Sequence, residues 1–142
     1  MFAAFPLLAL PVVIYNLLAM TFSQGFRAAD AGSRLTQPLF SISMTSRVEW
    51  AVSSGDLILA FSLIVLFIEL LKSTTSHKVV IINHALSMLL FIACLVEFLL
   101  APAFSTSTFF LLTLMVVLDV LAGFIVTIAS ARREIDFNND RR

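Results

Sequence analysis

Twenty residues in the last third of the chain, Phe109 to Ile128 (FFLLTLMVVLDVLAGFIVTI), are apolar except for Thr113, Asp119, Gly123 and Thr127. A run of this length predicts a helix that crosses a bilayer, and it carries a carboxylate near its midpoint. Ten residues of the run precede Asp119 and nine follow it. At 1.5 Å of rise per residue, a side chain at that depth cannot reach either headgroup layer. An aspartate there costs about 2.5–3.5 kcal/mol on insertion scales unless it is protonated, hydrogen-bonded or wetted. Neighbouring helices must therefore shelter it, and the rest of the chain supplies three more apolar runs.

Hydrophobic residues make up 60% of the 142 positions and charged residues 13%, a balance that belongs to a membrane protein and not to a soluble domain. The length accommodates four spans of about 20 residues with short connections, and no separate soluble domain besides. The expected fold is all-α: a single integral membrane four-helix bundle, 1–142, with one long loop between helices 1 and 2. Net charge is zero and no basic tract occurs, so nothing favours nucleic acid as a partner. The single cysteine, Cys94, excludes an intrachain disulfide and a CxxC redox site.

The first apolar run, about 2–20, is uncharged and contains Pro6 and Pro11, which a membrane helix tolerates when a neighbour satisfies the freed backbone. No Lys or Arg precedes it, and it exceeds a typical signal core, so a retained span is expected in preference to a cleaved leader. The polar loop 21–50 follows. Within it Phe40, Ile42 and Met44 alternate with Ser41, Ser43 and Thr45, the period of a short strand. A lone strand has no partner, so this segment is expected either as an extended strap on the bilayer surface or as a lid or docking edge. Trp50 sits where an interfacial aromatic anchor belongs.

The second span is expected at about 51–71, bearing Asp56 near its start and Glu69 near its end, with Lys72 placed for an interfacial ion pair to Glu69. A short connection that includes His77, a solvated loop histidine by this pattern, leads to a third span at about 79–100. There Asn83, Ser87, Leu90, Cys94 and Glu97 fall along one stripe, which should face protein. The run from Ser105 to Thr108 can cap the fourth span, 108–130, and the tail 131–142 is hydrophilic. With the N-terminus inside, Lys72, Lys78, Arg132, Arg133, Arg141 and Arg142 are cytoplasmic, against Arg27, Arg34 and Arg47 opposite, which favours both termini cytoplasmic. The first span alone points the other way, since only Arg27 flanks it.

Compared by depth, Asn16, Asp56 and Glu97 form one polar layer roughly 8–11 Å from the span centres, towards the long loop. Ser62, Ser87 and Asp119 lie near the midplane, and Glu69, Asn83 and His84 form a layer towards the opposite face. Two explanations compete. Such residues could form a discontinuous proton or cation path, or they could join helices by hydrogen bonds, at about 0.6–2 kcal/mol each. His84 fits a helix–helix contact better than a metal ligand, because no HxxxH or ExxH spacing accompanies it. No GxSxG, HExxH or phosphate-loop signature is present, so neither a catalytic residue nor a bound cofactor or metal is expected.

The segments SSGDLILAFSLIVLFIELLKS, INHALSMLLFIACLVEFLL and STSTFFLLTLMVVLDVLAGFIVTI together resemble a group of uncharacterised small four-span bacterial inner-membrane proteins, over roughly residues 38 to 130. The resemblance implies a location in the bacterial cytoplasmic membrane and no particular activity. Two functional expectations follow from the residues. One is a non-enzymatic protein that acts by helix association, as a homo-oligomer or as an accessory subunit of a larger membrane complex. The other is proton- or cation-coupled transport centred on Asp119, with Asp56, Glu97, Glu69 and His84 as access groups.

Overall fold

The computed structural model describes residues 5–22, 30–72 and 77–139, with side chains placed for 5–21, 32–72, 82–126 and 128–129. Its elements in chain order are helix α1 (Ala9–Phe22), the short helix α2 (Asp30–Leu35), strands β1 (Pro38–Ser43) and β2 (Glu49–Ser53), helix α3 (Ser54–Lys72), helix α4 (His77–Leu100), a single 3-10 turn at Pro102–Phe104, and helix α5 (Ser107–Asn139). Three segments are long and apolar enough to cross a membrane: Ser54–Lys72, Ile82–Leu100 and Ser107–Val126. Helix α1 is apolar apart from Asn16 and Thr21 and the hydroxyl of Tyr15, but only 14 residues long. That corresponds to about 21 Å, short of a 30 Å hydrocarbon core.

Helix α5 is the hub, packed against α3 on one side and α4 on the other. Its buried face, Phe109, Leu112, Val116 and Val120, recurs every three to four residues, as a helix stripe must. Tyr15 of α1 and Phe104 of the 3-10 turn close over Phe109, with ring centroids 4.8 Å from it in each case. Cys94 of α4 is fully buried in the same cluster. Pro102 terminates α4, and the Thr106 hydroxyl accepts from the Phe109 backbone N–H at 3.1 Å, capping α5.

Three sequence expectations are corrected here. The alternating segment after Pro38 is not a lone strand: β1 pairs antiparallel with β2, with Ile42 opposite Trp50 and Phe40 opposite Val52. The second span begins at Ser54, because Ala51, Val52 and Ser53 belong to β2, where pairing with β1 outweighs their apolar continuity with the helix. The hydrophilic tail continues α5 as far as Asn139, its charged residues extending a helix already nucleated within the apolar run. His77 opens α4 and is not a loop residue, although its side chain lies outside the described residues. The start of the first run, residues 23–29 near the start of the 21–50 loop, residues 73–76 and the end of the tail also fall outside them.

Candidate functional site: a polar cluster among the helices

Glu69 sits one turn before the end of α3 and is fully buried. Its Oε2 accepts the backbone N–H of Leu7 at 2.6 Å, and its Oε1 accepts Asn83 Nδ2 of α4 at 2.7 Å. Lys72 Nζ lies 3.3 Å from the same Oε1, and it also donates to the Phe5 carbonyl at 2.7 Å and to Asn83 Oδ1 at 3.5 Å. The ion pair anticipated between Glu69 and Lys72 is therefore present, but as part of a buried network and not as an exposed surface pair. The sequence pattern alone could not distinguish the two. The segment before α1, which carries Leu7, reaches Glu69 only through folding. Such a network gains stability because each oxygen has a donor, whereas an unmatched buried charge would cost several kcal/mol.

Two turns of α4 carry the contact to α5. Ser87 Oγ donates to Asp119 Oδ2 at 2.6 Å, with Asp119 only 5% exposed. One turn away, His84 lies directly against Gly123, so that a Cβ at Gly123 would collide with the imidazole Nδ1, and the ring meets Phe124 edge-on at 4.4 Å. The pairings Ser87 with Asp119 and His84 with Gly123 run in opposite directions along the two helices, fixing an antiparallel register. Here glycine is required for close approach, and the small residue one turn from the aspartate lets α4 come near enough to donate to it. Asn83, His84 and Ser87 follow one another within about a turn of α4, so the Glu69 network and the Asp119 contact adjoin on the side of the α3–α4 connection.

The remaining predicted positions are placed apart from it. Ser62 is fully buried, but its hydroxyl turns back to the Ile58 carbonyl of its own helix at 2.6 Å. Asp56 is exposed and closes a capping box: its Oδ2 accepts the Ser53 backbone N–H at 2.9 Å and the Ser53 hydroxyl at 2.7 Å, while Ser53 Oγ accepts the Asp56 N–H at 3.2 Å. Glu97 is half-buried beside an open cleft of about 240 Å³ lined with Val96, Leu100, Ala101 and Phe104, and it accepts Asn16 Nδ2 of α1 at 3.3 Å. Of the expected loop-side layer, Asn16 and Glu97 meet and Asp56 does not join them.

Two participants were not singled out from the sequence. The hydroxyl of Tyr15 lies 2.5 Å from Thr106 Oγ1, tying α1 to the cap of α5, and the Phe5 carbonyl and Leu7 N–H anchor the segment before α1. The lone tyrosine in an uncharged, largely apolar run was the available signal for the first, since a buried phenol needs a partner. Among the described residues no group of three or more His, Cys, Asp and Glu side chains could hold a metal ion. No known protein family, curated protein or solved structure matches the chain.

Proposed function

We propose that the chain is a non-enzymatic protein of the bacterial cytoplasmic membrane, with four spans and both termini cytoplasmic, that acts by helix association, as a homo-oligomer or as an accessory subunit of a larger membrane complex. The observation that carries this reading is the uneven burial of the spans. In Ile82–Leu100 only 11% of residues are buried, against 33% in Ser54–Lys72 and 39% in Ser107–Val126. The outward side of α4 presents Ala85, Leu89 and Ala93 at four-residue spacing, all exposed. Ala85 and Ala93, on either side of the exposed Leu89, leave room for a second helix to pack around that side chain. The carboxylates support the same reading, because Glu69, Glu97 and Asp119 each accept from a group on another element, as helix-joining residues do. Counting α1 as the fourth span is favoured by two polar ties, Leu7, just before the helix, to Glu69 and Asn16, at its middle, to Glu97.

The test is a Leu89→Cys variant in a Cys94→Ser background, oxidised in native membranes, together with mass measurement of the purified protein in nanodiscs. A disulfide-linked dimer or a co-purifying membrane partner is the expected result. A monomeric mass, no crosslink at residue 89 and no recovered partner would overturn the reading.

A second reading, proton- or cation-coupled transport, is favoured by the grouping of Asp119, His84, Glu69 and Lys72. Against it, the half of the bundle between Asp119 and the hairpin is filled mainly by Val116, Leu112, Phe109, Tyr15 and Phe104, all fully buried, and its buried hydroxyls, Ser62 and Thr113, donate to carbonyls of their own helices. It predicts that Asp119→Asn abolishes flux in proteoliposomes while assembly is kept; unchanged flux, or none in the parent protein, removes it.

A further inference from the structure

The pairing of β1 with β2 sorts the hairpin's side chains by face. Phe40, Ile42 and Met44 on one strand and Val48, Trp50 and Val52 on the other share one side, because residues two apart in a strand point the same way. Ser41, Ser43, Glu49, Ala51 and Ser53 share the other. Val52 is buried at the root, but Phe40, Ile42, Met44, Val48 and Trp50 are 42–63% exposed, so the apolar side is not covered by the rest of the described residues. The side carries no charged residue, and Arg47 stands at the turn.

The hairpin's position is fixed by its junction with α3. Ser53 ends β2 and Ser54 begins the helix, and the capping box through Asp56 joins them. Ser54 Oγ reaches the Leu35 carbonyl at 3.3 Å, and Gly55 lies so close to the first turn of α5 that a Cβ would sit 2.8 Å from Thr108 Oγ1. The starts of two apolar helices and the root of the hairpin therefore lie at one level. If those helices cross a bilayer, that level is its border. A hairpin standing upright there would lift Trp50 about 13 Å by strand rise, past a headgroup layer and into water with its apolar side bare. A hairpin lying flat places the whole side in the headgroup–acyl boundary, where tryptophan is favoured.

We propose that the apolar face Phe40, Ile42, Met44, Val48 and Trp50 binds a lipid surface, lying in the boundary of the leaflet that α3 enters. The inference rests on α3 crossing the membrane, and the test separates the two. Trp50 is the single tryptophan of the chain, so its fluorescence reports on this face alone. The full chain is reconstituted into phosphatidylcholine vesicles at several protein-to-lipid ratios, with lipids brominated at shallow or deep acyl positions. The expected result is blue-shifted emission, quenched at least twofold by shallow bromines, less by deep ones, independently of protein density. Ile42→Asp, opposite Trp50, is expected to reduce that quenching at least twofold. Emission typical of indole in water with no bromine quenching overturns the proposal, as does burial that appears only at high protein density, which would assign the face to a second copy. Unchanged quenching in Ile42→Asp also overturns it. Alkaline carbonate extraction is scored in parallel: a chain that is extracted fails the spanning reading, whereas a retained chain with a wet Trp50 fails only this one.

Discussion

Gly123 is where a single atom decides the contact between α4 and α5. Gly123→Ala places a methyl group onto the His84 ring, and overpacking of this kind costs about 1–3 kcal/mol. Equilibrium unfolding in mixed micelles should show that loss, and His84→Ala in the same chain should recover most of it; an equal deficit in the double variant would mean that the clash lies elsewhere. Glu69 is the more demanding position. Glu69→Ala leaves Asn83, Lys72 and the Leu7 N–H without their shared acceptor, and breaking a buried charged network costs about 3–5 kcal/mol. The same unfolding assay should rank it well below an exposed substitution such as Ser43→Ala. At this scale the sequence was informative about depth and, beyond the pairing of Lys72 with Glu69, silent about partners. Glu69, Asn83 and Lys72 could be assigned to one end of neighbouring spans from chain position, but the bond to the Leu7 backbone depends on a segment 62 residues away.

Elements were legible where apolar periodicity is long and unbroken, which covers α5, α4 and most of α3. The hairpin was half legible: β1 alternates cleanly, whereas β2 runs from Glu49 to Ser53 directly into an apolar helix and its period is hidden by that continuity. The missed signal was local, since Ser53 and Asp56 stand in capping-box spacing and mark the true helix start. Asp56→Ala is expected to lower stability by about 0.5–2 kcal/mol, the usual cost of a lost cap, without altering the Glu69 network. A larger loss accompanied by detachment of α1 would show that Asp56 does more than cap. Arg47, at φ 64°, closes the three-residue turn between Met44 and Val48 in the left-handed region. Arg47→Gly should therefore be neutral or stabilising to the hairpin, read as unchanged or increased protection of the Met44 and Val48 amides from hydrogen exchange; faster exchange would contradict the turn geometry.

Across the whole molecule, the polar groups differ along the axis of the bundle. The half near the α3–α4 connection holds Lys72, Glu69, Asn83, His84, Ser87 and Asp119, whereas the half near the hairpin is packed with aromatic and aliphatic side chains around Tyr15 and Phe109 and adds the hydroxyls of Ser62 and Thr113 and the Asn16–Glu97 pair. Location of a C-terminal reporter by membrane-impermeant labelling should place the tail with Lys72 in the cytoplasm; an outward tail would reverse the topology while leaving this difference intact. The claim beneath the whole account is that acids deep in these helices bind the helices to one another. A double-mutant cycle on Ser87→Ala and Asp119→Leu, measured by unfolding in bicelles, tests it most directly. The two substitutions should couple by about 0.6–1.7 kcal/mol, the range of hydrogen bonds between membrane helices, with the double variant less destabilised than the sum of the singles. Additive losses, with no coupling between Ser87 and Asp119, would contradict it.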